Sequence, residues 1–509
     1  MVYLYGISIL NTPITCFYLG FSANEAMDAG YDKKKGSECV NFIQELLGNL
    51  NTFLYSNILI ILLVAAGLYF SLRTGFVQFR MLGEGLRLLG EKAHHHDGVS
   101  SFQALMISTA SRVGTGNIAG VATALAAGGA GSIFWMWVIA LIGGASAFVE
   151  STLAQIYKER DGDQFRGGPA YYIEKALHKR WLGILFAVLL IACFIFGFNG
   201  LQAYNVSSAL EYYVTDTQTA SMLVGLVLAG ATAAVIFGGV HRIGIISSTI
   251  VPIMAVLYIL LGLYITIANI SGLPAIFAQI FQEAFDLQAI FGGFAGSCVM
   301  YGIKRGLFSN EAGMGSAPNA GATADVSHPV KQGLVQTISV FIDTILICST
   351  TAFMLLNFGI RDGLTGMPYV QTAVSAEVGT WGIHFITISI ILFAFSSLIG
   401  NYCYAESNLK FIINDKKALL VFRLLTVAVI FFGAQADFST IWDLADVLMG
   451  FMAIENILVI LLLGNVAFLA LKDYTKQKKQ GKDPLFEPQK LGIRHAECWE
   501  GIDEEYKES

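Results

Sequence analysis

Ser108-Thr109-Ala110-Ser111-Arg112-Val113-Gly114-Thr115-Gly116-Asn117-Ile118-Ala119-Gly120 interrupts a stretch otherwise apolar enough to cross a membrane. Two closely spaced glycines, two threonines and an asparagine are poor helix-forming material. In hydrocarbon, the N–H and C=O groups freed by such a break have no water to bond. Irregular backbone persists there only where protein, a water-filled cavity or a ligand satisfies it. A helix broken near the bilayer midplane points to a transporter, with the break forming part of the binding site.

Composition agrees with a membrane setting. Of 509 residues, 55% are hydrophobic and 13% charged, whereas soluble chains carry about 25% charged residues. The mean hydropathy is +0.62. The apolar runs are long enough to cross a hydrocarbon core of about 30 Å. We read eleven spans, near 54–72, 102–127, 131–157, 182–212, 217–240, 243–270, 287–304, 331–357, 381–409, 417–435 and 440–471. Of the 31 Lys and Arg, 26 fall in connections on the side of the C-terminus and four on the other. Positive residues stay inside, so the expected orientation in the plasma membrane is N-terminus outside and C-terminus cytoplasmic.

Several chemistries are excluded. No Walker A sequence, dinucleotide fingerprint or HExxH occurs, so neither nucleotide hydrolysis nor hydride transfer is expected, and the chain does not read as an enzyme. The seven cysteines (16, 39, 193, 298, 348, 403, 498) lack CxxC spacing and read as small hydrophobes. His94-His95-His96 reads as a solvent-facing loop. No cofactor is expected beyond a coupling ion, and no nucleic-acid partner.

Five segments follow. Residues 1–50 form an N-terminal extension, either extracellular or preceding the true start. Residues 51–101 hold an accessory span and a cytoplasmic loop, 102–270 and 271–471 are two five-helix halves, and 472–509 is a polar tail expected to be mobile. Five spans per half place the second half upside down relative to the first, as inverted repeats require. The first break is then answered by Gly292-Gly293-Phe294-Ala295-Gly296-Ser297 in the first helix of the second half. Gly143-Gly144-Ala145-Ser146, by contrast, reads as close helix packing.

Three strings carry a resemblance: Val113 to Gly120, Gly128-Gly129-Ala130-Gly131-Ser132-Ile133-Phe134-Trp135-Met136-Trp137, and Lys304-Arg305-Gly306-Leu307-Phe308-Ser309-Asn310-Glu311-Ala312-Gly313-Met314-Gly315-Ser316-Ala317-Pro318-Asn319. Over about 54–476 the chain resembles the alanine or glycine:cation symporters. That resemblance implies an all-α polytopic membrane protein with a LeuT-type 5+5 inverted repeat and one extra N-terminal transmembrane helix. It implies Na⁺-coupled symport of small neutral amino acids, in some members with H⁺.

An amino-acid zwitterion needs donors for its carboxylate and acceptors for its ammonium. Thr115, Gly116 and Asn117, at the start of a half-helix, are placed for the carboxylate. Gly293, Phe294 and Gly296 would close the other side. By resemblance, Gln202 contacts substrate, Asn401 leaves room for a larger polar amino acid such as glutamine, and Na⁺ takes carbonyls of Ala110, Val113 and Phe393 with hydroxyls of Ser396 and Ser397. Among intramembrane charges, Arg112 is expected to pair with an acid. Arg305 and Glu311 read either as a gate pair or as a surface ion pair. A proton-coupled carrier and an ion channel are the rival functions.

Overall fold

The computed structural model describes residues 33–93, 98–162, 164–238, 240–286 and 297–499. His94, His95 and His96 lie outside them, as do Gly293, Phe294 and Gly296. The described chain is almost wholly helical; a two-stranded hairpin, Glu159–Asp161 with Gln164–Arg166, is its one sheet.

The first helix, α1, runs from Lys33 to Arg73 through one wide turn at Tyr55–Leu59. α2 (Ser101–Arg112) starts at a capping box, in which Ser100 Oγ accepts the Gln103 N–H and Gln103 Oε1 accepts the Ser100 N–H. After the break come α3 (Val121–Gly128), α4 (Gly131–Ile156) and α5 (Pro169–Leu177). α6 spans Arg180–Leu210 with a wide turn at Ala192–Asn199. α7 (Thr217–Ile236), α8 (Val240–Ala268) and α9 (Leu273–Ala284) follow. α10 is Cys298–Asn310, capped by Ser297, and α11 is the single turn Pro318–Gly321. α12 covers Pro329–Phe358, and α13 is Gly366–Val378. α14 is Thr380–Ile412, α15 Lys416–Gly433 and α16 Phe438–Lys479.

Eight helices among the described residues are long and apolar enough to cross a bilayer. Eleven were expected, and the three that differ have distinct reasons. The 102–127 span is cut into halves too short to cross alone. Part of 287–304 lies outside the described residues. α15 carries Lys416, Lys417 and Arg423. The first span is longer than expected, Asn41–Arg73. Its polar residues are tied to α16: Gln44 Nε2 donates to Thr440 Oγ1 at 2.8 Å and Asn51 Nδ2 to Asp443 Oδ1 at 2.6 Å.

Small residues set how closely helices approach. A Cβ on Gly143 would meet Ala312 Cβ at 3.0 Å, so the small-residue run of α4 does pack against its neighbours. A Cβ on Gly433 would stand 2.5 Å from Gly200 Cα, which makes the α6–α15 contact glycine on glycine.

The polar tail is docked. Phe486, Ile493, Ala496 and Trp499 are buried against the end of the bundle where the basic connections gather. These apolar side chains, widely spaced in a polar segment, find a shared floor there. Lys158 lies beneath them, its Nζ 4.7 Å from the Trp499 ring centroid. Burial pushes its ammonium down to about 7, against the upward pull of Asp325.

Gly433→Val should overpack the α6–α15 crossing and cost about 1–3 kcal/mol, seen as a lower melting temperature in detergent. Gly230→Ala, in α7 with open space around its Cα, should be neutral or gain up to roughly 1 kcal/mol.

Candidate functional site

The helix ladder fails where the sequence places the break. Val113 takes an extended conformation (φ −75°, ψ 94°), and helix resumes through a wide turn at Gly116–Gly120. Every residue from Ala110 to Gly120 is buried, so side chains must meet the freed backbone. Asn117 Oδ1 accepts the Gly114 N–H at 3.0 Å, and Gln202 Oε1 accepts the Thr115 N–H at 3.1 Å. Ser397 Oγ lies 3.3 Å from the Val113 carbonyl oxygen and 3.0 Å from that of Phe393. Thr351 Oγ1 donates to the Asn117 carbonyl at 2.6 Å.

Glycine is required by proximity. A Cβ on Gly114 would press on Ser397 Oγ and come within 2.8 Å of Gln202 Nε2. One on Gly116 would lie 2.9 Å from the Phe308 ring.

The structure thus brings Val113, Thr115, Gly116, Asn117, Gln202, Phe393 and Ser397 together. Ser396 bonds back to the Phe393 carbonyl at 2.8 Å, and Ala110 is buried one turn earlier in α2. Asn401 lies one turn along α14 from Ser397. Its Nδ2 donates to Asn199 Oδ1 at 2.9 Å, and its Oδ1 accepts from Ser111 Oγ at 2.6 Å.

A second interruption faces the first; the one expected at 292–297 lies, but for Ser297, outside the described residues. α10 ends at Asn310, and Glu311–Ala317 runs as buried irregular chain before α11. Gly313 (φ +83°) and Gly315 (φ +86°) hold left-handed conformations. Their N–H groups donate to Glu150 of α4 at 3.1 and 3.0 Å, and Asn456 Nδ2 donates to the Gly313 carbonyl at 2.9 Å. Asn117 Nδ2 donates to Ser309 Oγ at 2.9 Å and to Asp343 Oδ1 at 2.7 Å, joining the two breaks.

Arg305 does not pair with Glu311. It donates through both terminal nitrogens to Asp446 of α16, at 3.1 and 2.7 Å, with Lys304 Nζ 2.6 Å from the same carboxylate. The Arg305 Cζ lies 4.1 Å from the Trp442 ring centroid, and Trp442 packs on Phe308 at 5.3 Å. Glu311 instead accepts from Ser316 Oγ at 2.5 Å and Ser111 Oγ at 3.3 Å. Arg112, 2% exposed, has no hydrogen-bond partner on any of its three guanidinium nitrogens among the described residues. The ion pair expected for it is replaced by electrostatic coupling to three buried carboxylates, Glu150, Glu311 and Asp343.

Three more buried polar atoms on elements that meet around the breaks, Thr115 Oγ1, Asn199 Nδ2 and Trp442 Nε1, have no protein partner among the described residues. Buried polar groups are nearly always satisfied, so these are groups available to a polar ligand. Sequence alone missed Asn199, Phe308, Ser309 and Trp442; Asp343 stood out only as an intramembrane charge. Asn199 sits three residues before Gln202 on the same helix, and that spacing was its one signal.

Irregular backbone, amide and hydroxyl side chains, and a charge cluster, all buried among bilayer-spanning helices, define a multi-pass membrane transporter. The chain belongs to the sodium:alanine symporter family, whose model matches residues 40–488. It is 48% identical to the amino-acid carrier protein AlsT of Bacillus subtilis, over 90% of this chain and 98% of that protein. It is 49% identical to the probable sodium/glutamine symporter GlnT of the same organism (90% and 96% covered) and 38% identical to the sodium/alanine symporter AgcS of Methanococcus maripaludis (85% and 98%). By family, then, the chain is a Na⁺-coupled amino-acid symporter and not an enzyme.

Arg305→Ala should leave Lys304 as the cation facing Asp446 and lower stability by about 1.5–3 kcal/mol through the lost charged hydrogen bonds, read by thermal melting. Gly116→Val should abolish amino-acid uptake while the protein still reaches the membrane, since its clash is with Phe308 beside the break.

Proposed function

We propose that this chain imports a small neutral amino acid, alanine or glycine and also glutamine, together with Na⁺ across the plasma membrane, by alternating access in a LeuT-type 5+5 arrangement. The observation that carries this is the convergence of Gln202 and Ser397 on the Gly114 backbone. One is an amide suited to a zwitterion and the other a hydroxyl suited to a hard cation.

The substrate carboxylate takes the Thr115 N–H over from Gln202 Oε1, and Gln202 turns its Nε2 toward it. The ammonium faces the carbonyls at the end of α10. Na⁺ binds where oxygens already converge, the Ser397 hydroxyl with the Val113 and Phe393 carbonyls, and Ser396 and Ala110 complete the set. Hard oxygen donors fit a hard cation, and no redox or Lewis-acid step is needed.

The Asn199–Asn401 amide pair lies one helical turn from Gln202 and Ser397, and it is the natural receptor for a substrate amide. Asn199 Nδ2 offers donors to the side-chain carbonyl of glutamine. The similarity to a probable glutamine symporter supports this substrate. The Arg305–Asp446 pair, near the start of α16 and far from its lysine-rich end, closes the site on the outer side, which moves Lys304 and Arg305 from the inner connections, where the sequence count placed them, to the outer half. The C-terminus of α16 is cytoplasmic in this orientation.

One Na⁺ crossing 100 mV contributes about 2.3 kcal/mol, and a tenfold gradient adds about 1.4 kcal/mol. At roughly 3.7 kcal/mol, one ion supports an amino-acid ratio of several hundred. Uptake of labelled alanine into proteoliposomes should require an inward Na⁺ gradient, and excess glutamine should compete. Equal uptake driven by a pH gradient in K⁺ would make the coupling ion a proton, and conductance without substrate would make the protein a channel. Ser397→Ala removes one hydrogen-bonding ligand worth about 1.5–3 kcal/mol. It should raise the half-saturating Na⁺ concentration roughly ten- to hundredfold, with little change in the expressed amount.

A further inference from the structure

After Lys479 the chain turns back: Leu485 N–H donates to Gln477 Oε1 at 3.0 Å and Lys482 N–H to the Gln477 carbonyl at 3.2 Å. It then binds the connection between α11 and α12. Ser327 Oγ donates to the Pro484 carbonyl at 2.9 Å, the Phe486 N–H donates to the Ser327 carbonyl at 3.0 Å, and Lys331 Nζ reaches Asp483 at 3.1 Å. Farther along, Glu497 accepts from Lys175 of α5 at 3.1 Å. Trp499, 3% exposed, donates its indole N–H to the Gln155 carbonyl at the end of α4, at 3.0 Å. The Phe486 ring fills the space between them, 5.2 Å from His328 and 5.1 Å from Trp499.

The segment so bound is the inner side of both breaks. Gln155 Nε2 donates to the carbonyls of Gly321 and Ala324, at 2.6 and 2.9 Å, which fastens the chain after the second break to α4. The Asp325 N–H donates to the Val99 carbonyl at 2.9 Å, two residues before α2, the inner half of the first broken helix. Residues 327–331, the end of α4, α5 and α16 are thus laced together by one strand of chain. An inward-open state needs the inner halves at α2 and α11 to part from their neighbours, and the lacing opposes it. The family match ends at residue 488, so the Trp499 end of the lacing lies beyond the family pattern.

We propose that residues 482–499 are an autoinhibitory strap that holds the cytoplasmic exit shut, and whose release sets the rate of inward opening. The proposal rests on the symport reading and on its orientation. Its partners are all within this chain: Ser327 and Lys331 on one side, Gln155 and Lys175 on the other, Phe486 and Trp499 as the apolar plugs.

The test compares the full chain, a chain ending at Gly481, and Phe486→Ala/Trp499→Ala. Each is made with and without Ser108→Cys, a buried α2 position between the first break and the cytoplasmic end. Maleimide labelling of Cys at 108 from the cytoplasmic side, taken over the matching parent, reports inward opening without any need for transport. Coupling between distant elements typically spans about 5- to 150-fold, so labelling should rise at least about fivefold on strap release. Initial alanine uptake should rise with it. Unchanged or reduced labelling in the double variant, with a melting temperature close to that of the full chain, overturns the strap, and the double variant decides the matter if the shortened chain does not fold. If the full chain moves no amino acid under any ion gradient, the symport reading fails while labelling still decides the strap.

Discussion

A peptide group inside hydrocarbon must find its hydrogen bond within the protein, and this structure is arranged around two places where the helix ladder cannot supply it. At Val113–Asn117 the missing bonds are made by three side chains from elsewhere, Gln202, Ser397 and Thr351, and by Asn117 itself. At Glu311–Ala317 they are made by Glu150 and Asn456. Each unsatisfied group would cost several kcal/mol in lipid, so these polar residues are as necessary to the fold as the apolar ones. They also differ in what they could do next. The amide and hydroxyls at the first break are neutral and exchangeable, so a ligand can take over their bonds.

The buried charges divide along the same line. Asp446 is fully engaged by Arg305 and Lys304, a pairing that fixes α10 to α16. Arg112 is not engaged in this way; it sits among carboxylates that bond to other groups. A cation with no dedicated partner in a low-dielectric setting is expensive, and such groups mark transport pathways more often than structure. In the proposed mechanism, an ion and a zwitterion bound near Arg112 alter the field it feels, a physical route from occupancy to conformation.

The first break was legible because Gly114-Thr115-Gly116-Asn117 stands in an apolar setting where no soluble loop is possible. The interruption at Glu311–Ala317 was not anticipated, because Asn310-Glu311-Ala312-Gly313-Met314-Gly315-Ser316 reads as an ordinary polar connection. Only its burial, with Gly313 and Gly315 at positive φ, shows it to be core. Gln202 and the serine pair came from family resemblance. Asn199 needed the helix register and Asn401's position in space. Asp446 lies 141 residues from Arg305, and no local pattern links them. The tail read as solvated because Phe486, Ile493 and Trp499 are too widely spaced to show a period. Their shared floor exists only once α4, α5 and the 322–328 connection have assembled.

Ligand-dependent stability of the purified protein measures most directly whether the first break is the binding site. A ligand that binds the folded state at a hundredfold excess over its dissociation constant stabilises it by about 2.7 kcal/mol. Alanine and glutamine should each raise the melting temperature in Na⁺ but not in K⁺, and Gln202→Ala should remove the alanine response. Equal stabilisation in K⁺, or an alanine response that survives the loss of Gln202 and of Ser397 together, would contradict a site built on the broken helix.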